Sequence, residues 1–271
     1  MAQAPAQQAN KGFDFSILVI PVAFVISVLF YMFVCGSSAH VDAKGDPMRN
    51  PDGSSDYLGL IHAGGFIVPL LFTMLLTVFT FAIERYLTIS KAKGTGSIEV
   101  FLQKIKTALN NGDINGALSE CSKQKGSVAN VVQAGLNKYN EMDKNTALEG
   151  EKKVIAIQQE IEEATSLELP MLQQNLSVIA TIASVGTLVA LLGTVLGMIR
   201  SFAALASTGS PDPSKLSAGI SEALVNTAIG IATSAIAIIV YSFFTSKIDS
   251  LTYAIDEIGF SIAQSFASRK K

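Results

Sequence analysis

The sequence has 271 residues, of which 49% are hydrophobic and 15% are charged, and its mean hydropathy is +0.41. An apolar content this high and this unevenly distributed excludes an ordinary soluble domain and predicts an integral membrane protein. The formal net charge of −2 at pH 7 provides no basic surface for nucleic acid, so we expect no nucleic-acid partner.

Four apolar stretches are long enough to cross the roughly 30 Å hydrocarbon layer of a membrane, which takes about 20 helical residues. In chain order they are Phe15 to Val34, Ile61 to Ile83, Ser177 to Ile199 and Ala223 to Phe244. Four crossings place both chain ends on one side of the membrane. The sequence therefore predicts an all-α, polytopic membrane protein with four transmembrane helices and long helices that extend into the cytoplasm.

The distribution of Lys and Arg predicts the orientation. Eleven of these residues lie between Glu84 and Gln174 and four follow Phe244, against two in each of the other two connecting loops. Cytoplasmic segments carry the excess of positive charge, so we expect the middle segment and both termini to be cytoplasmic. Cys35 and Cys121 then lie on opposite sides of the membrane, and with only two histidines the chain offers no disulfide framework and no metal site.

These observations divide the chain into six segments. They are an additional transmembrane helix with an exterior loop (1–60), a second transmembrane helix (61–90), a cytoplasmic helical region (91–145), a long helix that includes the third span (146–206), an exterior loop (207–215), and the fourth transmembrane helix with its cytoplasmic tail (216–271). Within the first exterior loop, Asn50 to Gly53 predicts a turn.

Capping residues predict the helices of the middle segment. Ser97 can begin a helix that ends near Gly112, and Asp113 can begin the next, which ends near Gly126. A third helix covers about 127 to 142. From about residue 146 the apolar spacing is helical without a glycine break after Gly150, so we expect one continuous helix that Pro170 kinks. The tail repeats apolar residues at helical spacing and needs a neighbouring helix to cover them.

The second span has one polar edge. It consists of Thr73, Thr77, Thr80 and Glu84, at spacings that place them on one side of a helix. The edge leads to Glu84 and Arg85 at the cytoplasmic boundary, where we interpret the charged pair as a membrane anchor.

Small and polar residues form stripes on the third and fourth spans. On the third span the glycine stripe is Gly186, Gly193 and Gly197, and beside it lies a seven-residue ladder of Thr187, Thr194 and Ser201. On the fourth span one sector holds Glu222, Asn226 and Thr233, and the next holds Thr227, Gly230 and Ser234. Two interpretations remain open for these stripes: close helix packing with hydroxyls bonded to their own backbone, or a partly hydrated path.

Glu222 is the acidic residue at the exterior start of the fourth span. A carboxylate near hydrocarbon is costly unless it is hydrated, paired or protonated, so it is a candidate functional group, although a first-turn acid that favours the helix N-terminus explains it equally well. The interiors of the third and fourth spans contain no Asp, Glu, Lys, Arg or His. Because Ser and Thr cannot change charge at physiological pH, a proton that crosses here needs a carboxylate from a second polypeptide.

Two runs of residues carry a specific resemblance. The first is Leu191-Leu192-Gly193-Thr194-Val195-Leu196-Gly197-Met198-Ile199-Arg200-Ser201-Phe202, and the second is Gly219-Ile220-Ser221-Glu222-Ala223-Leu224-Val225-Asn226-Thr227-Ala228-Ile229-Gly230. Together they resemble the paired signatures of the MotA/TolQ/ExbB proton channel family, with ExbB and TolQ as the nearest members. The first span and its exterior loop are additional to the three-span plan of ExbB and TolQ.

The resemblance implies a ring-forming homo-oligomer, a pentamer, around two copies of a single-span ExbD/TolR-like partner whose membrane helix carries an aspartate. It implies that Thr194 and Thr227 line the central pore beside that aspartate and that Glu222 lies farther along the same path. Thr187, Ser201, Asn226, Ser234, Gly193 and Gly197 are secondary candidates for pore lining or packing.

These expectations lead to a functional hypothesis. The chain is expected to be a stator-like subunit of a proton-driven motor in the bacterial inner membrane that energises TonB-dependent outer-membrane transport through a TonB-like protein. We expect no enzyme activity, no catalytic residues and no cofactor, since the sequence contains no nucleotide-binding, zinc-protease or hydrolase pattern. A TolQ-like or gliding-type motor of the same family, or a non-conducting membrane scaffold, is the alternative.

Overall fold

The computed structural model describes residues 15–42, 47–48, 56–207 and 213–269. The predicted turn at Asn50 to Gly53, both chain ends and most of the loop at 207–215 lie outside these residues. In the described part the chain forms helices, and its one extended feature is an isolated antiparallel bridge between Val41 and Pro47. The prediction of an all-α fold is therefore confirmed.

Nine α-helices and one π-helix are present in the part of the chain that the structure describes. They are α1 (Phe15–Leu29), the π-helix (Phe30–Cys35), α2 (Tyr57–His62), α3 (Ile67–Lys93), α4 (Ile98–Asn111), α5 (Ile114–Gln124), α6 (Gly126–Lys144), α7 (Gly150–Gln173), α8 (Leu176–Ser207) and α9 (Pro213–Arg269).

The described helices form two compact units. The membrane unit comprises Met1–Phe81 and Val178–Val240, and the bundle unit comprises Ala82–Ser177 and Tyr241–Lys271. Four helical stretches are long and apolar enough to cross a membrane. They correspond to the four predicted spans, so the chain is a multi-pass membrane protein.

The second span begins later than the sequence predicts. Helix α2 ends at His62, residues 63–66 form a turn, and α3 begins at Ile67. Gly65 lies in this turn with φ of +71°, a left-handed conformation that glycine adopts without steric cost. The prediction of a continuous span from Ile61 is therefore wrong at its first turn. We call residues 63–66 the α2–α3 turn.

The bundle unit confirms Asp113 as a capping residue but not Ser97. Helix α4 begins after Ser97, whose side chain makes no capping hydrogen bond and whose hydroxyl donates to the Glu99 carboxylate. The helix ends at Asn111, and Gly112 follows with φ of +77°. Helix α5 follows Asp113, whose carboxylate accepts a hydrogen bond from the Gly116 backbone N–H at 2.8 Å. The apolar stripe of the tail is covered as expected. Its members are all buried: Ile248, Leu251, Ile255, Ile258 and Ile262.

The long helix predicted for 146–206 is interrupted, and the interruption lies at Gln174 and Asn175 and not at Pro170, which lies inside α7. Asn175 has φ of +63°, which a continuing right-handed helix does not permit. The Arg85 Nη1 donates to the backbone oxygens of Met171 at 2.8 Å and Leu172 at 3.2 Å. Because these carbonyls are the acceptors that a continued helix would use, the guanidinium replaces the next turn.

Candidate functional site

Helices α8 and α9 pack against each other along two matching rows of small residues. On α8 the row is Gly186, Ala190, Gly193, Gly197 and Ser201, and on α9 it is Gly219, Ala223, Asn226, Gly230 and Ser234. Facing residues lie at equal distances from the segment that joins the helices, with a difference of one residue for Gly193 and Asn226, as an antiparallel hairpin requires. We call this pair the α8–α9 hairpin.

The glycines of the hairpin allow close contact between the two backbones. A Cβ atom at Gly230 would lie 2.1 Å from the Ala190 Cβ, and one at Gly193 would lie 2.9 Å from the Asn226 Cβ. At Gly197 it would lie 3.0 Å from the Gly219 backbone oxygen. Rows of small residues that let helix backbones approach are a common packing device in membranes, and Gly193 and Gly197 serve it here.

Thr194 and Thr227 face each other across the hairpin. Their Oγ1 atoms are 2.5 Å apart. Each hydroxyl also approaches a carbonyl of its own helix, Ala190 for Thr194 and Ala223 for Thr227, both at 3.1 Å. The sequence assigns these two residues to one site, and the structure brings them together. Both side chains are partly exposed, at the edge of a face where Leu191 and Leu224 are open to the surroundings.

The other two hydroxyl residues of the predicted ladder differ in their exposure. Thr187 is exposed and donates to the Ser184 carbonyl at 3.0 Å, whereas Ser201 is 1% exposed and donates to the Gly197 carbonyl at 3.0 Å. The predicted ladder of Thr187, Thr194 and Ser201 stays within one sector of α8, since residues seven apart drift by only about 20° per heptad, but its members differ in burial. Ser201 lies against Gly219 and so belongs to the packing row.

Asn226 and Ser234 are buried in the same hairpin. Asn226 is 0% exposed, and its Nδ2 donates to the Gly64 backbone oxygen at 2.9 Å. Its Oδ1 and the Ser234 Oγ have no hydrogen-bond partner among the described residues. Thr233, also buried, donates to the Ile229 carbonyl at 2.8 Å. The hairpin thus contains buried polar atoms with no hydrogen-bond partner among the described residues, as well as buried polar atoms that are hydrogen-bonded.

Glu222 lies in an ion pair that the sequence did not indicate. The Arg200 Nη1 is 2.7 Å from the Glu222 Oε1, and the side chains are 52% and 14% exposed, respectively. The sequence does contain a signal for this pair, because in an antiparallel register Arg200, seven residues before the end of α8, comes close to Glu222, nine residues after the start of α9. Assigning an antiparallel register to the two small-residue rows would have found it.

The polar edge of α3 is engaged with its own backbone. Thr73 and Thr77 are buried, and each donates to the carbonyl four residues earlier, at 2.7 and 2.8 Å. Glu84 and Arg85 differ from the surface anchor that the sequence predicted, since Arg85 is 1% exposed and its Nε donates to the Glu84 Oε2 at 2.6 Å. The interpretation of the charged pair as a membrane anchor is therefore wrong for Arg85.

The region that contains this hairpin is similar to a known protein family. The model of the MotA/TolQ/ExbB proton channel family matches residues 123–257, which include α8 and the part of α9 that packs against it. The chain belongs to the MotA/TolQ/ExbB proton channel family. Members of this family work in general with single-span partners of the ExbD/TolR type. The matched region begins after α1 to α4, so the additional first helix lies outside it.

Individual relatives within the MotA/TolQ/ExbB family include both ExbB and TolQ proteins. Biopolymer transport protein ExbB-like 3 of Synechocystis is 40% identical over 32% of this chain and 42% of its own length. TolQ of the Tol-Pal system of Pseudomonas aeruginosa is 28% identical over 49% of this chain and 61% of its own length. Biopolymer transport protein ExbB of Pseudomonas putida is 30% identical over 48% of this chain and 39% of its own length. The chain therefore spans less than two thirds of each.

Proposed function

We propose that this chain is the ring-forming, homo-pentameric subunit of a motor in the bacterial inner membrane that the proton-motive force drives. In this proposal an ExbD/TolR-like subunit supplies the membrane aspartate, and the complex energises TonB-dependent transport through a TonB-like protein. Membership of the proton channel family and the ExbB relatives support the proposal.

The observation that carries the proposal is the hydroxyl pair of Thr194 and Thr227, 2.5 Å apart in the α8–α9 hairpin. The hairpin has no Asp, Glu, Lys, Arg or His between Leu176 and Ile199 or between Ala223 and Phe244. Hydroxyl groups both donate and accept hydrogen bonds but do not titrate at physiological pH. Such a wall can solvate or relay a proton that a foreign carboxylate binds and releases.

The mechanism follows from the cost of a charge in an apolar environment. Protons reach the partner's aspartate from the side of Glu222, bind it opposite Thr194 and Thr227, and leave toward the cytoplasm. A neutral aspartic acid can lie against the apolar wall of Leu191 and Leu224, whereas the ionised form cannot without a large desolvation penalty. Each protonation change therefore shifts the preferred position of the partner helix within the ring. No covalent chemistry and no cofactor takes part.

Substitution of the hydroxyl pair tests the proposal. We expect Thr194→Val and Thr227→Val to assemble normally, because valine has nearly the shape of threonine, and to lose most proton flux when the complex with its ExbD-like partner is reconstituted in liposomes. The matched control is Thr233→Val, which removes a buried hydroxyl bonded to its own helix on the same α9. Full flux in both test variants contradicts the relay role.

The origin of the carboxylate is tested without the partner. Because residues 176–199 and 223–244 of the two spans contain no titrating carrier, the purified chain alone is expected to conduct few protons, and flux is expected to rise when the partner is added. Rapid flux from the chain alone would show that another subunit does not supply the carrier.

A TolQ-like role is the second candidate within the family. The match to TolQ covers 49% of this chain, about as much as the 48% that the Pseudomonas putida ExbB covers. Co-purification decides between them, since the ExbB assignment predicts recovery with a TonB-like protein and the alternative predicts recovery with a TolA-like or motility protein.

A non-conducting scaffold is favoured by a different observation. Thr194, Thr227 and Thr233 each bond a carbonyl of their own helix, as hydroxyls that only assist packing do. Tolerance of valine at Thr194 and Thr227 in the flux assay supports this alternative.

A further inference from the structure

The α2–α3 turn contacts the polar groups at the loop end of the α8–α9 hairpin. The Gly64 oxygen accepts the hydrogen bond from Asn226. A Cβ atom at Gly65 would lie 2.7 Å from the Glu222 Oε1, and the Arg200 guanidinium lies over the Phe66 ring, 5.8 Å from its centroid. Asn226, Glu222 and Arg200 of the hairpin each contact the α2–α3 turn. The position of the turn therefore affects the geometry of all three side chains.

The additional N-terminal helix holds the turn from its other side. In the π-helix, the Tyr31 hydroxyl donates to the His62 backbone oxygen at 2.9 Å. The two rings stack with centroids 4.7 Å apart and an interplanar angle of 15°. His62 is the last residue of α2 and immediately precedes the turn.

The first helix changes to π-helical geometry at this contact. The Gly36 backbone N–H donates to the Tyr31 backbone oxygen at 2.9 Å, which is the five-residue spacing of a π-helix. Such turns recur at functional positions. A Cβ atom at Gly36 would lie 2.9 Å from the His62 Nε2, so glycine there leaves room for the imidazole ring. The residue before Tyr31, Phe30, packs edge to face against Phe72 of α3 with ring centroids 5.5 Å apart, a second contact that holds this part of the helix.

The turn needs such support because its own sequence is permissive. Two of its four residues are glycines, and Gly65 has φ of +71°. Glycine restricts the backbone least of all residues, so local sequence alone does not fix this conformation. Contacts from neighbouring helices must do so.

We propose that Tyr31 is a positioning residue of the proton entrance: through His62 it holds the α2–α3 turn against Glu222, Arg200 and Asn226. This inference rests on the proposed function and gives a role to the helix that is additional to the three-span plan. Tyr31 does not contact the transported proton. It acts by fixing the turn that sets the geometry of the Arg200–Glu222 ion pair.

The first experiment measures the turn itself and does not depend on transport. Phe66 is 62% exposed, so a Phe66→Cys variant reports the mobility of the turn through its rate of maleimide labelling. In this background Tyr31→Phe keeps the stacked ring and removes the hydroxyl, and we expect labelling to change severalfold. The matched control is Tyr57→Phe, which removes the hydroxyl of a tyrosine that is 77% exposed and is expected to leave the rate unchanged.

The second experiment measures proton flux through the complex with its ExbD-like partner in liposomes. We expect Tyr31→Phe to lower flux about fivefold, the factor that corresponds to ~1 kcal/mol for one hydrogen bond. A double-mutant cycle with Arg200→Gln tests the route of action. If Tyr31 acts through the ion pair, its effect on flux shrinks in the Arg200→Gln background, whereas a general structural defect gives independent effects that multiply.

The outcomes are distinguishable. Changed labelling with coupled loss of flux supports the positioning role. Unchanged labelling, or changed labelling with wild-type flux or with independent effects, overturns it. If the wild-type complex conducts no protons, the proposed function fails and this inference fails with it, while the labelling rates still report whether Tyr31 holds the turn.

Discussion

Lys125 occupies a backbone conformation that only glycine adopts readily. Its φ and ψ are 58° and 176°, in a region that costs other residues about 1–3 kcal/mol. The conformation is imposed by a close crossing of two chain segments. The Thr95 N–H donates to the Gln124 oxygen at 2.7 Å, and a Cβ atom at Gly94 would lie 2.2 Å from the Lys125 oxygen.

Replacing this lysine is therefore expected to stabilise the protein. Lys125→Gly relieves the strain, and after the greater entropy of glycine in the unfolded chain is subtracted we expect a gain of about 1 kcal/mol. Thermal unfolding of the purified protein in detergent measures this change in stability. Lys125→Ala is the control, since it removes the same charge but retains the Cβ atom, and equal stabilisation by both variants would contradict the strain argument.

Glu120 gives the bundle unit a pH-dependent contact. Its carboxylate accepts hydrogen bonds from Lys123 at 2.5 Å and Lys104 at 2.9 Å, and these two lysines lower its pKa from 4.5 to about 2. A lowered folded-state pKa stabilises the fold above the unfolded-state pKa, and this stabilisation is lost as the pH falls through the folded-state value.

Replacing this carboxylate by an amide, Glu120→Gln, is expected to remove the pH-dependent stabilisation. The melting temperature of the wild type should exceed that of the variant above about pH 4.5, and the difference should disappear as the pH approaches 2. Because the group is exposed, we expect a small difference that high salt reduces. A difference that persists at pH 2 would show that the carboxylate charge is not its source.

At the scale of elements, Arg85 determines where α7 ends. The guanidinium lies at 1% exposure and shares its donors between the Glu84 carboxylate and the last carbonyls of α7. Glu84 in turn accepts from Asn175 at 3.3 Å, beside the interruption between α7 and α8. A planar group with several fixed donors suits this arrangement, whereas an ammonium group does not.

We expect Arg85→Met to lower the free energy of unfolding by about 3 kcal/mol, because it removes the charge partner of the Glu84 carboxylate and the donor to the α7 carbonyls. Arg85→Lys should recover only part of the loss. Urea or thermal unfolding in detergent measures both, with Lys91→Met on the exposed side of the same helix as control. The double variant Glu84→Met with Arg85→Met should be less destabilised than Arg85→Met alone, and the opposite order would refute an unpaired-charge origin.

The same junction shows what the sequence could and could not predict. Capping residues such as Asp113, and apolar spacing such as that of the tail, are local signals and gave the correct helices. The interruption at Asn175 depends on Arg85, 90 positions earlier in the chain, and no local signal records such a contact. For the same reason the sequence paired Thr194 with Thr227 through a family resemblance but did not pair Glu222 with Arg200, which required the register of the hairpin.

At the scale of the whole molecule, the orientation in the membrane follows from charge and stays a prediction. The segment between Glu84 and Gln174 holds eleven of the 20 Lys and Arg residues, but its length weakens the rule, since long loops follow it less strictly than short ones. The residues that matter most are those near a membrane end, Arg85, Lys91 and Lys93. Their position at the end of α3 predicts that the bundle unit is cytoplasmic.

Single exposed cysteines test this orientation. Tyr57 and Tyr253 are 77% and 73% exposed, and we expect Tyr57→Cys to react with a membrane-impermeant maleimide on intact cells stripped of the outer membrane, and Tyr253→Cys to react only after the membrane is permeabilised. The wild type is a suitable blank, because Cys35 and Cys121 are 0% and 2% exposed and burial raises the pKa of the Cys121 thiol to about 12, which keeps it in the unreactive protonated form. The reverse labelling pattern would invert the direction of proton flow in the proposed motor, since Glu222 would then face the cytoplasm.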